Sequence, residues 1–147
     1  MEDKKKLRPK VSPKEYREFI KGVQLLGIIV KASQARRIAD TIDLSRSADL
    51  NTTERAEFKM TDGNTCVVQH HYDLSMAYTG EKDRLLEIEC TFELGLRVAS
   101  PMTKDYFDVF AKVNLPLNTW PYLREFVHSS ISRMGLPPVV LPLVKRG

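Results

Sequence analysis

Residues suited to cross-linking, metal binding and membrane insertion are scarce in this sequence. Only two cysteines, Cys66 and Cys90, stand in 147 residues, too few for a disulfide scaffold and ordinary for a reducing compartment. No apolar run approaches the ~20 residues that a helical membrane span requires. The basic start, Lys4-Lys5-Lys6 with Arg8 and Lys10, is not followed by the apolar core of a signal peptide. These absences lead us to expect a cytoplasmic protein without membrane insertion. The histidines are His70, His71 and His128, and none has a cysteine or carboxylate at metal-ligand spacing. His70 and His71 point to opposite faces of a strand and cannot share a site, so His70 reads as packed and His71 as solvated. Phosphate loop, nucleophile elbow, HExxH and dinucleotide fingerprint are all missing, and the seven glycines read as turns and caps. The expectation is a protein that is no enzyme and holds no cofactor or metal.

Excess charge is also small: 23 Lys and Arg against 19 Asp and Glu, a net +4. Much of it sits in residues 1–11, which read as a flexible, solubilising basic arm. No aromatic residue is interleaved with that arm before Tyr16, which disfavours nucleic acid as the partner. A basic nucleic-acid-binding domain and a non-catalytic oligomeric scaffold stay open as alternative readings. Residues 12–147, in a chain that is 42% hydrophobic and 29% charged, are enough for one domain with its own core.

What the chain does contain is periodicity. Ser12-Pro13-Lys14-Glu15 combines an N-cap serine, a first-turn proline and a capping-box glutamate, so a helix starts there. Tyr16, Phe19, Ile20, Val23 and Leu26 form its apolar stripe, and Gly27 is placed to end it. The β-branched Ile28-Ile29-Val30 opens a strand running to about Ile42, although Ala32 to Ala39 also fits a helix. Residues 43–55 are rich in Ser, Thr and Asn and read as a crossover loop. Ala56, Phe58 and Met60 alternate with charges up to the hairpin signal Asp62-Gly63, and a partner strand follows over 65–78. Val68, Tyr72, Leu74, Met76 and Tyr78 share one of its faces.

The clearest strand is 86–98, where Leu86, Ile88, Cys90, Phe92, Leu94, Leu96 and Val98 alternate with Glu87, Glu89, Thr91, Glu93, Gly95 and Arg97. A hairpin centred near Glu81 places Cys90 opposite Tyr72 and Cys66 about six residues further along, a separation of ~20 Å at ~3.4 Å per residue. That is far beyond disulfide reach, so both thiols are expected free. Glu87, Glu89 and Glu93 project together from the wet face, as a solvated surface or an acidic docking face. Beyond Pro101 the period changes. Tyr106, Phe107, Phe110 and Val113 mark a short helix capped by Thr103, Leu115-Pro116-Leu117 interrupts it, and a second helix over 119–134 carries Leu123, Phe126, Val127 and Ile131 to a stop at Gly135. The fold expected is α+β: a twisted antiparallel sheet of about four strands, C-terminal helices on one face, and a short N-terminal helix.

The run Trp120-Pro121-Tyr122-Leu123-Arg124-Glu125-Phe126-Val127 resembles the aromatic-Pro-Tyr-x-Arg-Glu start of the main helix in SecB-type export chaperones. The likeness continues through Ser132-Arg133, Leu136-Pro137-Pro138 and Leu141, and more weakly over residues 28 to 143. It implies an ATP-independent holding chaperone for unfolded or extended polypeptides, assembled as a homotetrameric dimer of dimers with the long helices sandwiched between paired subunits. Ile88, Cys90 and Phe92 match family positions that support assembly, with Tyr122 and Phe126 on the sandwiched helix. Glu89 matches a carboxylate that docks the translocation motor SecA.

Two departures from the family bear on that docking. The family's second C-terminal helix and tail are mostly missing before Gly147, and Lys31, Arg36 and Arg37 stand where exporters place acids. The Leu-Pro-Pro segment and the N-terminal helix resemble the SecB-like branch that accompanies toxin-antitoxin pairs, so preproteins and an antitoxin are both candidate clients. A holding chaperone needs apolar grooves, and aromatics near the crossover and the helix break are the candidates to line them: Tyr78, Phe92, Leu94, Tyr106, Phe107, Phe110 and Trp120. Regular spacing of these same residues also suits an ordinary core.

Overall fold

The computed structural model describes residues 10–137. The arm's Lys4-Lys5-Lys6 and Arg8, and Pro138 and Leu141 of the family-like segment, lie outside them.

The first helix, α1 (Pro13–Lys21), begins as its capping residues dictate, with the Glu15 amide donating to Ser12 Oγ at 3.2 Å. It does not reach Gly27. The chain turns at Gly22, where an added Cβ would lie 2.7 Å from the Ala99 Cβ, and the Ala99 amide donates to the Gly22 carbonyl at 2.9 Å. That close approach ends the helix five residues earlier than the apolar stripe suggests and frees Val23, Leu25 and Leu26 for the sheet.

Strand β1 (Val23–Arg37) therefore starts before Ile28 and stops before Ile42; the helical option over 32–39 is not taken. It pairs antiparallel with the chain's fourth strand through two register shifts, one between Leu25 and Gly27 and one between Val30 and Ala32. The crossover is shorter than its polar composition suggests, because strand β2 (Ala48–Met60) already includes Asn51, Thr52 and Thr53. β2 lies at the sheet's edge, where polar side chains are tolerated on both faces, and threonine's branched Cβ suits a strand. Strands β3 (Thr65–Tyr78) and β4 (Leu86–Val98) complete an antiparallel sheet of order β1-β4-β3-β2. Tyr72 faces Cys90 and Cys66 faces Leu96, as the hairpin arithmetic requires. Both thiols are buried and free.

Helices α2 (Lys104–Val113) and α3 (Leu115–Arg133) cover one sheet face. Thr103 caps α2, accepting from the Tyr106 amide at 3.3 Å. The Leu115-Pro116-Leu117 interruption is a turn of direction at Asn114, after which α3 begins at once. Pro116 falls in the first helical turn, where a missing N–H costs nothing. Pro121 lies inside the helix. Leu123, Val127 and Ile131, four residues apart, are fully buried against the sheet, and Gly135 takes the left-handed conformation (φ 75°) just past the helix end. Below them the sheet contributes Val68, Tyr72, Leu74, Leu86, Ile88, Phe92 and Leu94, all essentially without solvent contact.

Candidate functional site

Sheet order decides what is covered. Residues of β1 directly opposite Leu96, Leu94 and Phe92 share their face, so Leu25, Ile28 and Val30 lie on the helix side. The helices bury β3 and β4 but leave the edge strand open: Leu25 is 42% exposed, Val30 54% and, on the outer face, Ile29 58%. Tyr122 on α3 is 51% exposed, with its ring centroid 6.4 Å from that of Phe92, and Phe126 is half-buried nearby on the same helix. The apolar stripe on β1 was missing from the sequence-derived set because two bulges conceal its facing.

The expected groove residues divide. Phe92, Leu94, Phe107 and Phe110 are buried in the protomer, as are the expected assembly residues Ile88 and Cys90. Burial also pushes the Cys90 thiol up to about 11, which keeps it protonated. Trp120 is half-buried, edge-on to Tyr72 at 5.9 Å. Tyr106 stacks on Phe19 at 4.1 Å. Tyr78 anchors the crossover: its hydroxyl accepts from the Asp43 amide at 2.7 Å, and the Arg46 guanidinium lies 3.9 Å over its ring.

Between β2 and α2 runs an open cleft of about 370 Å³. Ala56, Phe107 and Ala111 form its apolar wall, Glu54 and Asp108 its acids, and Arg55 and Lys112 its bases, with His70 at the floor. His70 belongs to a polar cluster also absent from the sequence-derived set. Its Nε2 lies 3.2 Å from Glu54 Oε2, its Nδ1 2.9 Å from Thr119 Oγ1, and the Tyr72 hydroxyl is 2.8 Å from the same Thr119 oxygen. An ionised carboxylate only accepts, so Nε2–H donates to Glu54, while the single Thr119 hydroxyl proton lies within reach of both His70 Nδ1 and the Leu115 carbonyl, the latter at 3.1 Å. Burial, then the neighbouring His71, pushes His70 down to about 4. Burial likewise raises the Glu54 carboxyl and the Tyr72 phenol. A carboxylate, an imidazole and a hydroxyl in this order are the components of an acyl-transfer relay. Here the Thr119 hydroxyl has no solvent contact and already lies 3.1 Å from the Leu115 carbonyl, so the cluster joins β2, β3 and the start of α3.

On the opposite, outer face two of the three glutamates are ion-paired. Glu93 pairs with Lys31 at 3.3 Å and accepts from Gln69 at 3.4 Å. Glu87 pairs with Arg36, and with Arg84 at 3.2 Å; Arg84 also reaches Asp73 at 3.5 Å. Glu89 stands opposite Gln34 on one side and Asp73 on the other. Among the described residues no group of three or more His, Cys, Asp or Glu is placed to hold a metal, and no helix is long and apolar enough to cross a membrane.

No family model and no curated protein matches the sequence. Among solved structures, a SecB-like chaperone of Mycobacterium tuberculosis in complex with a ChAD peptide from the HigA1 antitoxin superposes with TM-score 0.74. The two are 16% identical, and the match covers 87% of this chain and 94% of that one. The chain has the SecB-like fold. A Streptococcus agalactiae protein of unknown function also aligns, at TM-score 0.43 and 10% identity over 82% of this chain and 97% of that one. Among the described residues, the β1 edge and the β2–α2 cleft are open surfaces.

Proposed function

We propose that this protein is an ATP-independent holding chaperone of the cytoplasm that captures unfolded or extended polypeptides, with an antitoxin as the favoured client over preproteins for export. The observation that carries the reading is the apolar surface this fold leaves uncovered on β1 and beside α2, Leu25, Ile29, Val30 and Val113 among it. A SecB-like chaperone solved with an antitoxin peptide supports it from the side of the fold. The outer face favours an antitoxin client, since two of the three candidate docking acids, Glu93 and Glu87, are paired with Lys31 and with Arg36 and Arg84.

The β2–α2 cleft, walled by Phe107, is the proposed client groove; half-buried Tyr106, Trp120 and Tyr78 are proposed as separate client contacts, and Phe92, Leu94 and Phe110 support the fold from the core. Single sites of this kind are weak once chain entropy is subtracted. Several on one oligomer, engaged by one unfolded chain, hold tightly through effective concentration. Self-association also covers β1: a long apolar edge left bare invites aggregation, whereas the charged edge of β2 is protected. The proposed dimer forms along β1, and dimers join through Tyr122 and Phe126 over Ile88, Cys90 and Phe92.

Two measurements test this. Added without nucleotide to a chemically unfolded protein, the oligomer is expected to suppress light scattering at near-equimolar ratio and to do so equally at 50 and 300 mM salt. Failure to suppress overturns the proposal, and a steep loss with salt points to a nucleic-acid-type electrostatic partner instead. Val30→Asp is expected to lower the solution mass by light scattering. In a two-fold contact each substitution counts twice, and removing a buried valine forfeits ~1.5–3 kcal/mol per copy before the cost of a buried charge. An unchanged mass removes β1 from the interface.

A further inference from the structure

The two edges of the sheet differ. β1 is interrupted by two register shifts, whereas β2 keeps one unbroken register on β3 from Ala48 to Met60. At either end of β2 the ladder bonds through an odd-numbered residue: the Thr79 amide donates to the Ser47 carbonyl at 2.9 Å, and the Thr61 amide to the Thr65 carbonyl at 3.0 Å. Bonding and non-bonding positions alternate along an antiparallel pair, so the odd-numbered residues in between also bond to β3. The main-chain N–H and C=O groups of Thr52, Glu54, Ala56 and Phe58 therefore point away from the sheet, and nothing among the described residues bonds to them.

Side chains along this edge are sorted by face. Toward the helices stand Glu54, Ala56, Phe58 and Met60, opposite the buried Tyr72, His70, Val68 and Cys66. Toward the outer face stand Arg55, Glu57 and Lys59, all exposed and alternating in sign. A strand laid ~4.8 Å beyond β2 brings its helix-side residues to the mouth of the β2–α2 cleft, whose apolar wall is Ala56, Phe107 and Ala111 and whose acid on the strand is Glu54. The charges that keep chance partners off this edge also define the partner that fits it.

We propose that the client segment binds by adding an antiparallel strand to β2, and that the segment selected alternates apolar residues with charges opposite to those of Arg55, Glu57 and Lys59. The inference rests on the holding-chaperone reading and names the client class for its cleft. From its N-terminus the segment sets apolar residues on Met60, Phe58 and Ala56, an acid on Lys59, a base on Glu57, an acid on Arg55 and a base on Glu54. Main-chain bonds to the edge supply affinity for any sequence, and the charge pattern supplies selection. A second copy of β2 fits less well. With Ala56 on Ala56 it sets the Glu54 carboxylate on Phe58, and a register centred one residue to either side sets Glu57 on Glu57 or Arg55 on Arg55, like charges that destabilise the pair.

The test titrates the isotope-labelled full chain with the end-blocked peptide Val-Glu-Val-Lys-Val-Glu-Lys, and with Val-Lys-Val-Glu-Val-Lys-Glu, which has the same composition and every charge reversed. The first is expected to bind about tenfold more tightly through its cross-strand pairs, and to move the amide signals of Glu54, Ala56 and Phe58. That order is expected to invert in a chain carrying Arg55→Glu, Glu57→Lys and Lys59→Glu, all at exposed positions. N-methylation of the last valine, whose amide faces Ala56, is expected to abolish binding; N-methylation of the lysine before it, whose amide faces away, is not. Equal affinity for the two peptides, indifference to methylation of that valine, or signals that move only elsewhere overturns this inference and leaves the chaperone reading standing. A fall in the oligomer's mass on saturation with the first peptide assigns the edge to a second copy and overturns it too. A chain that binds neither peptide yet keeps an unfolded protein from aggregating overturns the inference alone, and a chain that does neither overturns both.

Discussion

Phe92→Ala is expected to cost about 4 kcal/mol of unfolding free energy, lowering the urea midpoint by ~2 M for a slope of ~2 kcal/mol per M. The ring is 1% exposed. It stands edge-on to Tyr72 at 6.2 Å and 6.4 Å from Tyr122, and it lies at the middle of the sheet, between His70 on β3 and Val30 on β1. Its removal leaves a cavity bounded by two strands and α3, and the fully buried Leu94 and Leu123 are held by their own contacts and cannot collapse into it. Tyr122→Ala, at a half-exposed position, should cost a small fraction of that in the protomer while weakening assembly. Denaturation at fixed protein concentration separates the two. A Phe92→Ala chain of nearly unchanged stability that has lost client binding would move Phe92 from the core to the groove.

This contrast explains why fold and site were unequally legible in the sequence. Strict alternation over Leu86 to Val98, with the hairpin near Glu81, was enough to pair Tyr72 with Cys90 and to separate the cysteines. Those relations depend only on the two-residue period of a strand and on a short turn. The end of α1 depends instead on Gly22 meeting Ala99, a contact between segments far apart in the chain, and no local propensity announces it. Thr52 and Thr53 read as loop because their partners on β3 are not adjacent in sequence.

The site suffers more from the same cause. Aromatic residues at regular spacing mark a buried face, but whether anything covers that face is set by strand order. Crossing from β1 to β2 puts β1 at an edge that α3 leaves open over Leu25 to Val30, although Arg37 at its end donates to the Met134 carbonyl at the close of α3. Leu25 and Val30 are thereby exposed, while Phe92 and Leu94, one strand inward on the same face, are sealed. Glu87 and Glu93 were legible as a wet face but not as paired, because Lys31 and Arg36 come from the other side of the crossover.

Acid should unfold this protein through His70. Its imidazole is 1% exposed and held neutral, with its pKa pushed from 6.5 down to about 4 by burial first and the charge of His71 second. The unfolded chain takes up the proton near 6.5, and the folded one resists until about 4. Stability is therefore full above pH 6.5 and falls as pH drops through that window, by up to about 3 kcal/mol for a shift of this size. The Glu54 carboxylate at Nε2 pulls the other way, favouring the imidazolium, but its side chain is 48% exposed and only partly offsets the cost of burying a charge. Glu54's own pKa is raised by burial, so its protonation stabilises the fold as pH falls and flattens the lower end of the curve. Asp108 and Lys112 face the same cleft from α2 with opposite charges, which leaves burial as the dominant effect. His70→Gln keeps a group able to bond both Glu54 and Thr119 and cannot take a charge. Urea denaturation at intervals from pH 7 to 4 is expected to show the steep loss in the unsubstituted chain and a much shallower one in His70→Gln. Equal slopes would place the acid sensitivity in groups other than His70 and leave that imidazole a hydrogen-bonding member of the cluster alone.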